Sequence, residues 1–295
     1  IRSLLIGSGA IFDTLHNEIE SNTAYPLIFT YHLKTARSQT ETLREEALRL
    51  IDEHKISVIV LDVYGRSVEE LFPEWYDLVL KGVRFIDVGS LYERVFDRIP
   101  LELLDYGWFI QHAFAPQTVA YSVAKRCLDF AGAFILGLLS LVVYPFVIAA
   151  IKFDDGGPVF FTHTRIGKDS RPMLIYKFRS MSTRVKEKVT RTGRILRKYR
   201  LDELPQLWNV LIGDLSLIGP RPESPRLVEG YAANIPYYNA RHLVQPGLSG
   251  WAQIKEFDAP KGGVLDIERT QKKLSYDLYY VKHRSLLLDL EIALK

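Results

Sequence analysis

The chain has 295 residues, of which 47% are hydrophobic and 25% charged, with a formal net charge of +3. That length suggests two domains or one large one, and the composition excludes general disorder. Cys127 is the only cysteine, which excludes an intrachain disulfide and a cysteine-based zinc site and fits a reducing compartment. The seven histidines are scattered without a paired spacing, which argues against a histidine metal centre.

Residues 1–89, within a first domain of residues 1–110, read as alternating strands and helices. Short apolar runs at Ser3–Ile6, Leu27–Tyr31, Ser57–Leu61 and Val83–Ile86 predict four strands. Between the second and third, Leu43, Ala47, Leu50, Ile51 and His54 fall at helical spacing, and Val68–Leu80 predicts a second helix. Such alternation implies an open, parallel α/β sheet. Gly7 and Gly9 after the first strand imitate a dinucleotide fingerprint. However, Phe12 stands at the third glycine position, and Thr30 and Tyr31 end the second strand where an acidic ribose ligand belongs. A degenerate Rossmann-like domain with a structural or regulatory role fits better than a cofactor site. A less regular connector follows (Leu91–Tyr106, then Phe109–Val123, with 111–124 as the linker proper), and the second domain begins at Lys125.

Phe130–Ile151 contains no charged residue and carries Pro145. As a straight helix it would reach about 33 Å, enough to span a bilayer, so a single span, a buried core helix and a re-entrant hairpin are all readings of its length. Two features favour the hairpin. Pro145 breaks the backbone ladder, and Ser140 one turn earlier can satisfy a freed carbonyl. Both flanks are also basic (Lys125 and Arg126 before, Lys152 and Arg165 after), which places both on the cytoplasmic side. Thirteen Lys and Arg between Phe161 and Arg200 face only Asp169 and Glu187, a local charge of +11 that leaves −8 for the rest of the chain. A solvated helix face usually mixes signs, so this block points to anionic lipid or a phosphate-bearing substrate. The stretch Lys188–Arg200, with Ile195, Leu196 and Tyr199, is expected at the headgroups.

Asp202 and Glu203 precede Pro205 and the apolar helical face Leu204, Leu207, Trp208 and Leu211. This predicts Asp202 at or near a helix N-cap, where the dipole keeps a carboxylate ionised and welcomes phosphate; simple capping explains the same pattern. Arg165, Lys168, Lys177, Arg179 and Arg221 supply cations around it, and a tight turn at Gly247–Gly250 leads to Gln253.

Taken together, Lys125-Arg126-x-x-Asp129, Gly157–Phe161, Arg165–Lys168, Lys177–Met181, Leu201–Leu207, Gly213–Pro222, Pro246–Gln253 and Tyr276–Val281 resemble the bacterial sugar transferase family, the monotopic phosphoglycosyl transferases acting on polyprenyl phosphate. The resemblance covers residues 125–295, and the domain before it is similar to the extra domain of long members. Ile1, and the apolar pattern running to Lys295, read as a chain cut at both ends, with room for membrane helices upstream.

The resemblance implies a mainly helical transferase domain with a re-entrant membrane helix at 130–151. It implies Asp202 and Glu203 as catalytic dyad and Mg²⁺ ligands, with Arg165, Lys168, Lys177, Arg179, Arg221 and Gln253 binding substrate. The implied reaction moves a hexose-1-phosphate, galactose or glucose being favoured, from a UDP-sugar to polyprenyl phosphate and releases UMP. Asp202 is the implied nucleophile. The bacterial inner membrane, with the catalytic domain facing the cytoplasm, is the implied location; membrane lipid is a partner, nucleic acid is not, and a homo-oligomer is allowed. Two rivals remain at this level: direct attack by the lipid phosphate with the dyad as general base, and a non-catalytic membrane assembly or nucleotide-sensing subunit. Phe257–Lys273 departs from the shorter members and receives no role.

Overall fold

The computed structural model describes residues 1–22, 24–34, 40–62, 72–109, 118–183, 185, 188–255 and 265–295. The chain divides into two compact units, Ile1–Asp105 and Tyr106–Lys295.

The first unit holds β1 (Arg2–Ile6), α1 (Ala10–Ser21), β2 (Ile28–Leu33), α2 (Thr40–His54), β3 (Val58–Leu61), α3 (Phe72–Leu80), β4 (Arg84–Asp87) and α4 (Val88–Phe96). Its four strands are parallel in the order β2-β1-β3-β4. Successive strand residues face opposite sides of the sheet, so each strand contributes to two cores. Leu4, Ile6, Ile59 and Leu61 pack with Ala47, Leu50 and Ile51 of α2 and Trp75 of α3. Leu5, Val58 and Val60 pack with Ile11 and Leu15 of α1 and Leu91 of α4. The predicted strands and α2 are present with shifted ends. The second predicted helix is described from Phe72 onward; 68–71 lie outside the described residues. Leu91–Tyr106 is more regular than expected, because the Asp87 carboxylate accepts from Ser90 N–H (2.8 Å) and starts α4.

Packing and backbone geometry both call for glycine at position 7. A Cβ there would sit 2.1 Å from the Phe12 ring, and Gly7 itself has φ 152°. Phe12, the residue that breaks the fingerprint, thus covers the glycine turn.

The second unit holds α5 (Val119–Ser140), α6 (Tyr144–Asp155), an antiparallel hairpin of β5 (Phe160–Ile166) and β6 (Pro172–Phe178), α7 (Arg191–Lys198), α8 (Gln206–Ile212), β7 (Ser216–Ile218), α9 (Pro225–Asn234), β8 (Gly247–Ser249), α10 (Ile267–His283) and α11 (Leu286–Leu294). β7 and β8 pair in parallel. The fold is therefore mixed α/β with a parallel sheet, followed by a mainly helical unit.

The apolar segment is a pair of helices, α5 and α6, bent by 58° at their break; no single described helix is long and apolar enough to cross a membrane. Helix extends beyond the predicted 130–151 at both ends. Pro145 lies in the first turn of α6 rather than inside a continuous helix, and the Ser140 hydroxyl donates to the Gly137 carbonyl (2.7 Å). Both ends of the pair are tied to the same unit. Asp129 accepts from Leu217 N–H (3.0 Å) and Lys125 meets Asp289 (3.1 Å); at the other end Asp154 accepts from Thr192 N–H (2.7 Å) and Asp155 pairs with Arg179.

Candidate active site

A short 3₁₀ turn, Leu201–Glu203, leads through Leu204 and Pro205 into α8. Asp202 sits inside that turn, and α8 begins only at Gln206 with Pro205 before it, so Asp202 does not cap the helix and makes no side-chain cap bond. The position of α8 is set by Asn209, which is fully buried. Its amide oxygen accepts from Tyr176 N–H (3.0 Å) and its nitrogen donates to the Leu174 carbonyl (2.7 Å), so it supplies the edge of β6 with a backbone-like partner. Lys177, the next residue along β6, is thereby held beside Glu203.

Glu203 lies in a fork of cations. Its Oε1 accepts from Lys177 Nζ (2.8 Å) and Arg221 Nη2 (2.6 Å), its Oε2 from Arg221 Nη1 (3.4 Å), and Arg200 stands 3.7 Å away. Burial would raise this carboxyl, but the charges and hydrogen bonds of Arg221 and Lys177 overcome it and hold it at about 2. Asp202 responds in the opposite direction. Burial first, then the Glu203 charge, raise it against the pull of Lys177 and Arg197. The expectation that a helix end holds Asp202 low is corrected: its environment is dry and beside another carboxylate. Asp202 has no hydrogen-bonded side-chain partner among the described residues, whereas Glu203 Oε1 is held by both Lys177 and Arg221. The two acids are adjacent in sequence yet electrostatically separated.

The other predicted residues divide. Arg165 on β5 is half-buried and feels the charges of Arg221, Glu223 and Glu203; burial, then Arg221, push its guanidinium down. It belongs to the Glu203 cluster. Arg179 does not. It is buried and engaged with both Asp155 oxygens, the Pro158 carbonyl (2.5 Å) and the Met181 carbonyl (2.8 Å), so its donors hold the end of α6 rather than remaining open for phosphate. Lys168 lies in the β5–β6 turn, is exposed and makes no ion pair with Glu203, whose partners among the described residues are Lys177, Arg200 and Arg221. Gln253 donates to the Leu248 carbonyl (3.3 Å) behind the Gly219–Arg221 loop, and its buried oxygen has no partner among the described residues. That loop lies against β8: a Cβ on Gly247 would come 2.1 Å from Gly219 N. The headgroup expectation for 188–200 is also partly corrected: Leu196 is buried against Val147, Ile151 and Phe178, while Ile195 and Tyr199 are exposed.

Sequence reasoning missed the support beneath Arg221. Arg241 is buried, donates to the Arg221 carbonyl (2.8 Å) and pairs with Asp277 (2.8 Å) and Glu223 (3.5 Å). Glu223 also accepts from Tyr238 (2.9 Å) and from Lys273, the last residue of the stretch left without a role. Glu223 stays at about 2 because Lys273 and Arg241 outweigh its burial. These residues are spread over 55 positions with no local pattern, and only the charge content of α10 hinted at them. Arg197 and Arg200, which face the two acids, were legible only as part of the basic block.

The site therefore offers one ionised carboxylate locked between cations, one carboxylate with free oxygens and a raised pKa, and a surplus of positive charge: a cradle for phosphate oxygens beside a nucleophile or base. The family model of the bacterial sugar transferases matches residues 120–295, and the chain belongs to that family. A UDP-N-acetylgalactosamine-undecaprenyl-phosphate N-acetylgalactosaminephosphotransferase of Aeromonas hydrophila is 36% identical over 75% of this chain and 58% of its own length. A UDP-glucose:undecaprenyl-phosphate glucose-1-phosphate transferase of Caulobacter vibrioides is 39% identical over 60% of this chain and 69% of its own length. An Escherichia coli protein of the same description is 37% identical over 57% of this chain and 38% of its own length. The match thus covers between about two fifths and two thirds of these relatives.

Proposed function

We propose that this protein is a phosphoglycosyl transferase that moves a hexose-1-phosphate from a UDP-sugar to undecaprenyl phosphate and releases UMP. The observation that carries the reading is the division of labour between Asp202 and Glu203. A carboxyl held at about 2 by Arg221 and Lys177 is neither an acid nor an effective base at neutral pH, so Glu203 orients the two cations. Asp202 is the group left to react. Its carboxylate oxygen attacks the sugar-linked phosphorus, and the bond from that phosphorus to UMP breaks as Lys177, Arg165 and Arg221 take up charge on the phosphate oxygens. An oxygen of the lipid phosphate then attacks the same phosphorus and releases Asp202.

Mg²⁺ fits this site only as an ion shared with substrate. Two adjacent carboxylates are available and the described residues contain no group of three metal-ligating side chains, a donor set that suits Mg²⁺ held jointly with phosphates. Asp202 and Glu203 Oε2 would hold it, and it would offset charge on the diphosphate.

The acceptor's lipid nature is supported by the surroundings of the dyad. A groove of about 480 Å³ between α5 and α8, lined by Leu138, Leu141, Tyr144, Phe160, Leu207 and Trp208, also reaches Pro205 and Tyr176, the neighbours of Glu203 and Lys177. The exposed apolar residues Leu138, Leu141, Val142 and Phe146 surround the bend, with Trp208 and Ile212 on α8. The bent pair is read as a re-entrant hairpin in the cytoplasmic membrane, with both anchored ends on the cytoplasmic side.

Intact-protein mass spectrometry after mixing with UDP-sugar and Mg²⁺, without lipid, tests the reaction. A hexose-phosphate mass increment that Asp202→Asn abolishes is expected, together with ping-pong kinetics. Intersecting double-reciprocal lines with no increment on rapid quench would leave Asp202 as a base. UDP-glucose, UDP-galactose and UDP-N-acetylgalactosamine are the donors to screen first.

A further inference from the structure

A second cavity, of about 500 Å³, opens at the other end of α8. Arg126 marks its position by donating to the Val210 and Leu211 carbonyls (2.6 and 2.7 Å), whereas the dyad precedes Pro205 at the helix start. Seven residues of helix, about 10 Å, separate the two.

The lining carries four cations, Lys125, Arg126, Lys168 and Arg284, against one carboxylate, Asp129. Lys125 is neutralised by Asp129 (3.8 Å) and Asp289 (3.1 Å). Arg126 meets carbonyl oxygens, which satisfy its hydrogens but do not cancel its charge. Lys168 and Arg284 have no partner among the described residues, and Nη1 of Arg284 is buried without an acceptor. Burial pushes the Arg284 guanidinium below its ordinary range, the mark of a cation removed from water without a counter-charge. A buried, unsatisfied donor on a charged group is costly and rare, and it calls for an anion that completes it. Arginine with a nearby lysine is the donor set that reads phosphate oxygens.

We propose that this cavity binds a phosphate group, held by Arg284, Arg126 and Lys168, at a site separate from the dyad. Its ligand is the headgroup of an anionic phospholipid. Lys125 and Arg126 lie one turn before the apolar run that starts at Phe130, so a membrane-inserted hairpin sets the cavity at headgroup depth. That depth rests on the hairpin reading; the cation accounting does not. One lipid phosphate bound here would clamp the start of α5, the β5–β6 turn and the segment after α10 together.

Native mass spectrometry of the detergent-purified protein, titrated with phosphatidylglycerol and with phosphatidylcholine, reads binding without requiring sugar transfer. One tightly retained phosphatidylglycerol is expected, with phosphatidylcholine held far less. Arg284→Gln should weaken retention about tenfold to a hundredfold, the scale of a lost charge-assisted hydrogen bond at a partly buried site, and Lys168→Gln, at an exposed cation, about twofold to fivefold. Arg226→Gln on α9, exposed and outside the cavity lining, is the control and should bind as the native protein does. Lys168 is exposed and partnerless, so its variant keeps the test decisive if Arg284→Gln does not fold. Displacement of the lipid by inorganic phosphate or UMP would assign the same cradle to a soluble phosphate and overturn the lipid as source. Equal retention in native, Lys168→Gln and Arg284→Gln proteins, or equal weakening by Arg226→Gln, would overturn the site itself.

Discussion

Replacing Arg221 by Leu keeps only the apolar base of the side chain and removes the principal cation on Glu203. A carboxyl that titrates at about 2 instead of its ordinary 4.5 contributes about 3 kcal/mol to stability at neutral pH. The sign follows from the depressed pKa. The contribution is present above pH 4.5 and is lost as the pH falls towards about 2. Without Arg221, burial still opposes the charge and only Lys177, Arg165 and the more distant Arg200 remain among the described residues, so much of the 3 kcal/mol disappears and Glu203 titrates higher. For a unit of this size, that loss lowers the unfolding midpoint by about 6–12 °C. Thermal unfolding in detergent between pH 4 and pH 8 is the assay, with Glu203→Gln and the double variant completing a thermodynamic cycle. Arg221→Leu should cost far less in the Glu203→Gln background than alone. Additive effects would show that Arg221 and Glu203 do not stabilise one another, and the assignment of Glu203 as an ionised orienting group would fall with them.

Asn209→Ala should destabilise the second unit by about 2–3 kcal/mol, because Tyr176 N–H and the Leu174 carbonyl lose their partner in a dry site; chemical denaturation measures it, and a cost below about 0.5 kcal/mol would refute the role given to Asn209. Cysteines at Ser122 and Thr164 in a Cys127→Ser background should react with an impermeant thiol reagent only from the cytoplasmic face, and labelling from opposite faces would establish a span. Pro145→Ala restores a backbone donor in the first turn of α6, where none is missing from the ladder, so the topology should survive it. A fragment beginning at Thr118 should retain transfer activity in nanodiscs; tight UDP-sugar binding by residues 1–105 would contradict the separation of the first unit from the chemistry.

Alternation of short apolar runs with helical periods was sufficient to read the parallel sheet, since a strand with two cores must be apolar on both faces, as Leu4, Leu5 and Ile6 are. The apolar segment, its break and the acidic dyad were likewise local patterns, and local patterns survive in one dimension. What the sequence could not decide is which cation meets which carboxylate. Lys177, Arg179 and Arg165 looked equivalent as basic residues on a hairpin, yet β6 ends at Phe178 and the contact with Asp155 sends Arg179 to a structural pair, while Lys177 reaches Glu203. Nor could it order the dyad, because the opposite shifts of Asp202 and Glu203 come from burial and from Arg221, eighteen residues away. The network of Glu223, Arg241, Lys273 and Asp277 is the extreme case. Charges so far apart in the chain become partners only when tertiary packing removes them from water together, since in water none would seek out the others strongly enough to leave a pattern.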